Sequence, residues 1–142
     1  MKGFREYLGS GIVKKQTPNI ARAKSLINEA MKKKQYLEVS MSTIPKAKWN
    51  PNVMSEQCYD ILMELIRAKM FMDGYNAPSS HEAEVSYMNI LGFSEADAKY
   101  MDELRYYRNG MKYYGTILNM EYAEKTIRFL DKIYPRLMKL LK

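Results

Sequence analysis

The chain has 142 residues and a single cysteine, Cys58, which matches one compact domain and excludes both an intrachain disulfide and a zinc site of the usual Cys/His type. Hydrophobic residues at 46% and charged residues at 27% exclude a disordered polar chain, and no stretch approaches the roughly 18 uncharged apolar residues of a membrane span. The start MKGFREYLGSG lacks the apolar core of a signal peptide, so a reducing cytoplasm is the expected location. The net charge of +7 is segregated: residues 1–48 carry +8, residues 49–103 carry −7 and residues 104–142 carry +6. Two basic ends sharing one face would steer phosphate backbones or an acidic protein patch; the alternative is an ordinary solvated surface.

Apolar residues recur at spacings of three and four with almost no alternation, which predicts an all-α fold, an antiparallel bundle of about five helices with short loops. Residues 1–142 read as one domain, with 1–16 as a mobile N-terminal segment. Thr17 and Pro18 form a cap and first-turn pair, after which Ile20, Ala23, Ile27, Ala30, Leu37 and Met41 run along one face. Lys32, Lys33 and Lys34 lie within this helix as a basic run, either solvated or in reach of phosphate.

Pro45 breaks the pattern, and Asn50 with Pro51 restarts it, Trp49 and Met54 being spaced as a hydrophobic staple. The stripes of this second helix leave only Glu56, Asp60, Glu64 and Arg67 for solvent, so it should be the central one. Gly74 ends it, and Ser79 with Glu82 forms a capping box for a shorter helix that Gly92 stops. Its first turn carries His81, the only imidazole. A histidine there more often satisfies hydrogen bonds between helices than acts as a base.

Ser94 and Asp97 make a second capping box, opening a helix that extends towards Tyr114. At 100° per residue, Tyr100, Met101, Leu104, Tyr107, Met111 and Tyr114 fill one arc, and Arg108 falls between Met101 and Leu104. The arginine is therefore expected to face inward or into an interface. An unpaired buried charge costs several kcal/mol, so Arg108 needs a partner. The choices are a carboxylate such as Asp97, Asp102 or one from the acidic middle segment, a symmetry mate, or a phosphate brought from outside. Asn119 caps a last helix with the seam Ala123, Ile127, Leu130, Tyr134, Leu137 and Leu141, which Pro135 should kink or end near Tyr134. The tail beyond it would pack on its own bundle or on a neighbour.

Three stretches, YDILMELIRAKMFMDGY (59–75), SSHEAEVSYM (79–88) and LRYYRNGMKYYG (104–115), resemble the HEPN family of small prokaryotic helical domains over about residues 23–134. In that family the last motif is an arginine, usually followed by asparagine, with a histidine four to six residues on. The resemblance places these at Arg108 and Asn109, and Tyr113 stands where the histidine is commonest. It implies a homodimer whose paired motifs share one cleft, binding RNA or a nucleotide phosphate, and a metal-independent ribonuclease activity that is either retained or lapsed. Arg108, Asn109 and Tyr113 are then the catalytic candidates. An alternative within the same resemblance is a non-catalytic partner of a minimal nucleotidyltransferase in a toxin–antitoxin pair.

Such a reaction needs a base for the ribose 2′-hydroxyl, an acid for the leaving oxygen and cations for the phosphoryl oxygens. Arg108 can supply the cation, whereas a tyrosine, with an ordinary pKa of about 10, makes a poor general base. Arg105, Arg108 and Lys112, interleaved with tyrosines, offer cations and stacking faces to single-stranded RNA. Tyr113 and Tyr114 complete this binding set; Tyr113 is the tyrosine freest to meet a ligand, while Tyr114 lies on the apolar arc and also suits a core or dimer contact. No Gly-rich phosphate loop, HExxH pair or carboxylate cluster occurs, so neither a metal nor a cofactor is expected.

Overall fold

A computed structural model describes residues 2–142 and is helical over most of its length. Among the described residues, α1 (Phe4–Gly9), α2 (Ile20–Thr43), α3 (Pro51–Asp73), α4 (His81–Ile90), α5 (Glu95–Tyr113) and α6 (Met120–Leu140) form an all-α bundle. One small antiparallel ladder, β1 (Lys14–Lys15) with β2 (Tyr75–Asn76), accompanies them. The hydrophobic pattern dictates the arrangement, with α3 at the centre. Ile61, Leu62, Leu65, Ile66, Met70 and Phe71 are all essentially inaccessible, and α2, α4, α5 and α6 pack around them. The Asn19 N–H donates to the Phe71 carbonyl at 2.9 Å, so α2 starts where α3 ends and the two run antiparallel. Tyr100 with Thr126 and Glu103 with Tyr122 give α5 and α6 the same relation.

The residues expected to cap α3, α5 and α6 do so. Asn50 accepts from the Val53 N–H, Ser94 from Asp97 and Asn119 from Tyr122, with Pro51 in the first turn of α3. Two other starts shift. Thr17 and Pro18 do not open α2; Asn19 does, accepting from the Arg22 N–H at 3.0 Å. The cause is tertiary: Gln16 and Asn19 direct their N–H groups to the Gly74 and Phe71 carbonyls, which keeps 16–19 extended across the end of α3. Ile20, expected on the buried face, is consequently 46% exposed. At α4 the cap is Ser80, one residue later than expected, accepting from Ala83.

The N-terminal segment also differs from expectation. Residues 4–15 are built into the fold: Phe4, Tyr7 and Val13 are buried, and Phe4 packs its ring against Tyr75 and Tyr87. This adds α1 to the helices expected. Pro135 neither ends nor breaks α6, which continues to Leu140. Pro135 faces solvent while Ile133 and Leu137 on either side are buried, so the carbonyl that loses its donor opens to water and apolar packing holds the helix together. Leu137 and Leu141 are thus covered by this chain's own core.

Among the described residues no helix is long and apolar enough to cross a membrane. Cys58 is fully buried on α3, and burial, reinforced by Asp131, pushes its thiol up to about 12. It should resist alkylation in the folded protein and react on denaturation, a signal readable by mass spectrometry. Gly74 ends α3 in the left-handed region at φ 85°, and a Cβ there would lie 2.7 Å from the Gln16 carbonyl oxygen. We expect Gly74→Ala to cost about 2 kcal/mol or more in chemical denaturation, since left-handed strain of roughly 1–2 kcal/mol adds to a backbone clash.

Candidate functional site

The charged stripe of α3 is only partly open to solvent. Of that stripe, Glu56 lies outside and is 43% exposed, whereas Asp60, Glu64 and Arg67 form the floor of a cleft of about 350 Å³ whose walls come from α2, α4 and α5. Tyr59, Asp60, Glu64 and Arg67 rise from α3, Lys33 enters from α2, His81 from the first turn of α4, and Arg108, Asn109, Lys112 and Tyr113 from the last turns of α5. Helical geometry explains the α5 contribution, because residues three and four apart share a face. The N-cap at Ser80 in turn places His81 in the opening turn of α4, beside the C-terminal half of α3.

Most cations here already have partners. Lys33 is paired with Glu64, and Arg67 grips Glu84 with Nε at 2.5 Å and a terminal nitrogen at 3.0 Å. Glu84 is almost wholly buried and also accepts from His81 Nδ1 at 2.7 Å. Burial alone would raise the Glu84 pKa, but hydrogen bonds from His81 and Arg67 outweigh it and hold the carboxyl below its ordinary range. It is therefore an ionised acceptor.

Arg108 is half-buried, with 28% of its side chain exposed, and its terminal nitrogen lies 3.4 Å from Glu56 and 3.6 Å from Asp60. Of the partners open to it in the sequence, these two from the acidic middle segment are the ones it meets. Asp97 instead faces Lys132 and Arg136, and Asp102 faces Arg105. Neither Arg108 contact is short, and its buried Nε has no hydrogen-bond acceptor among the described residues. Asp60 carries a sign of the same incompleteness. Burial raises its pKa, and Arg108, though it pulls the other way, does not reverse the shift.

Arg108, Asn109, Lys112 and Tyr113 thus meet in one place, as their spacing on α5 anticipates. Arg105 is outside the lining of this cleft, engaged by Asp102 at 2.7 Å and by Glu82 at 3.9 Å. Tyr114, expected on the apolar arc, is 85% exposed because the helix unwinds at that residue. Lys112 has no carboxylate partner among the described residues and lies 5.4 Å from the Tyr113 ring centre. Gly110 serves packing: a Cβ on it would collide with the Thr116 side chain, which folds the 114–119 loop back on α5. Asn52 then fixes that loop by donating to the Thr116 carbonyl and accepting from the Leu118 N–H, both at 2.8 Å.

Sequence reasoning missed Tyr59, Asp60, Glu64 and Arg67 as members of the site, and it raised Lys33 only as part of a basic run in reach of phosphate. The available signal was a row of three acids and an arginine on a helix otherwise buried all round, which needs counter-charges from its neighbours. Among the described residues no group of three or more His, Cys, Asp or Glu side chains is arranged to hold a metal ion.

Because its folded-state pKa is lowered, Glu84 contributes stability that is complete above its ordinary value of 4.5 and is lost as pH falls through the lowered value. Glu84→Gln should be destabilised by roughly 2 kcal/mol at neutral pH, less than the about 3–5 kcal/mol of a fully buried pair since Arg67 is partly solvated. Thermal melts across pH should show the gap between variant and natural chain closing in acid.

Comparison of the chain with protein-family models, with curated proteins and with solved structures finds no match.

Proposed function

We propose that this cleft binds the phosphate of an RNA strand or nucleotide, that the chain is an HEPN-like domain, and that it works as a homodimer with the cleft at or near the shared face. The observation that carries this reading is the convergence of Arg108, Asn109, Lys112 and Tyr113 with His81 around one opening, where the Arg108 Nε lacks an acceptor. An incoming phosphate oxygen would offer the guanidinium what Glu56 and Asp60 provide only at 3.4 and 3.6 Å. Lys112 adds an uncommitted positive charge, and the Tyr113 ring, 67% exposed, adds a face for stacking. The motif arginine and asparagine of the HEPN resemblance both line this opening, and an all-α bundle is the fold that resemblance implies.

A second reading has its own support. Tyr114, next in the chain to Tyr113 of the cleft, and Ile117 are 85% and 87% exposed on the loop fixed by Asn52. Large exposed side chains next to a polar cleft suit a protein–protein contact, either with a second copy or with a different protein such as a minimal nucleotidyltransferase.

In EDTA and at low salt, fluorescence anisotropy with a mixed-sequence single-stranded RNA should show saturable binding that weakens as salt rises. Arg108→Ala should lose about tenfold to a hundredfold in affinity, the scale of one or two charge-assisted hydrogen bonds. Asp60→Asn, which removes a competing negative charge, should bind more tightly by about threefold to tenfold. A gain cannot come from misfolding, so the pair of variants separates electrostatics from damage. Binding indifferent to salt and to both substitutions sinks the phosphate reading. Light scattering tests the dimer independently: twice the chain mass is expected at micromolar concentration, and a monomer there removes the shared cleft.

A further inference from the structure

We infer that His81 is the proton acceptor of this cleft, its Nε2 taking the proton from a ribose 2′-hydroxyl of bound RNA, with Glu84 and Arg67 as positioning residues. The inference rests on the phosphate-cleft reading above and names the chemistry of the same site.

Three features carry it. First, His81 lines the same opening as Arg108 and Lys112, with 63% of its side chain exposed, so a ligand held by those cations can reach the ring. Second, the tautomer is fixed by its partner. An ionised Glu84 can only accept, so the 2.7 Å contact requires the proton on Nδ1, and a neutral ring then presents a lone pair at Nε2. Third, the partner is itself immobilised. The Arg67 guanidinium holds both Glu84 oxygens at 2.5 and 3.0 Å, and the carboxylate is almost inaccessible, so ring orientation is set by a chain of contacts from α3 through α4. A histidine serving only to tie helices together would have both nitrogens occupied or its ring covered. This one makes a single hydrogen bond among the described residues, to a carboxylate of its own helix, and leaves most of its side chain exposed.

The step balances without a metal or co-reactant. His81 Nε2 accepts the 2′-hydroxyl proton as the 2′ oxygen bonds to the adjacent phosphorus. The bond from phosphorus to the 5′ oxygen breaks, its electron pair leaving on that oxygen, which takes a proton from water. The imidazolium returns its proton to the resulting hydroxide, and the products are a 2′,3′-cyclic phosphate and a free 5′-hydroxyl. Arg108 and Lys112 would offset charge on the phosphoryl oxygens. Tyr59, the other hydrogen-bonding ring low in the cleft, is pushed well above its ordinary range, chiefly by burial, and does not compete as a base.

The test uses the natural chain, His81→Ala, His81→Asn and Arg108→Ala, with a labelled mixed-sequence single-stranded RNA and its all-deoxy counterpart, in EDTA. Binding and cleavage are read separately. The natural chain should bind both strands and cleave only the RNA, leaving cyclic-phosphate ends. His81→Asn keeps a side-chain N–H for Glu84 but has no counterpart of Nε2, so it should melt like the natural chain, bind RNA within about threefold and cleave about a hundredfold to ten-thousandfold more slowly. Free imidazole should restore part of the lost rate to His81→Ala. Binding without cleavage by the natural chain, or cleavage undiminished in His81→Asn, overturns the role of His81 and leaves the phosphate reading standing. Failure of the natural chain to bind either strand overturns both.

Discussion

The constraint on which the rest depends is the burial of a helix that carries charge. α3 contributes the largest share of the inaccessible apolar side chains, yet its sequence also bears Glu56, Asp60, Glu64 and Arg67 on one stripe. Covering α3 on every side would strand these groups, at several kcal/mol apiece for an unpaired charge. The fold answers by parting α2, α4 and α5 along that stripe and supplying opposite charges from each: Lys33 for Glu64, Glu84 for Arg67, Arg108 for Glu56 and Asp60. The cleft is therefore a consequence of how the core is made.

That origin explains why the pairings are uneven. Arg67 and Glu84 sit deepest and meet in a two-pronged grip, the geometry in which an arginine and a carboxylate lose least on leaving water. Arg108 stands nearer the mouth, at the end of α5 where Gly110 lets the loop fold back on the helix. Its contacts are longer, and one donor is unmet. Glu64 too has one buried oxygen without a hydrogen-bond partner among the described residues, so what sets Arg108 apart is the length of its contacts, and a side chain held that loosely can exchange partners.

The helices of the bundle were legible because their signals are local and redundant. Asn50–Pro51, Ser94 and Asn119 mark starts by chemistry that needs nothing beyond the next turn, and the α6 seam finds Ala123, Ile127, Leu130 and Leu137 but not Thr126, Phe129 and Ile133, which widen the buried face beyond a single stripe. What failed was set by distant contacts. The start of α2 moved because the carbonyls of Phe71 and Gly74 claim the backbone before it, some fifty residues away in sequence. The N-terminal segment contributes a core strip through Phe4 and Tyr7, a hydrophobic pair too short to announce a helix. Pro135 would end an isolated helix, whereas here Ile133 and Leu137, buried on either side, carry α6 through to Leu140. For the cleft, the α5 contribution could be read from spacing, whereas the stripe of α3 was assigned to solvent because periodicity reports which face differs and not what lies against it.

Arg108 is where the two demands on the stripe meet. As a structural residue it neutralises Glu56 and Asp60, and as a ligand-binding residue it must release them, so its usefulness depends on how weakly they hold it. At 3.4 and 3.6 Å, with the three side chains between 28% and 43% exposed, these ion pairs belong near the exposed end of the range, about 1 kcal/mol each at most. A charge-assisted hydrogen bond from guanidinium to phosphate is worth about 1.5–3 kcal/mol, more than either of these long contacts. The exchange therefore favours an arriving anion, while the same carboxylates keep the guanidinium poised at the wall when none is present. Arg67 cannot play this part, because turning away to an anion would strand the Glu84 carboxylate, which is almost wholly buried and would keep only His81 as a partner.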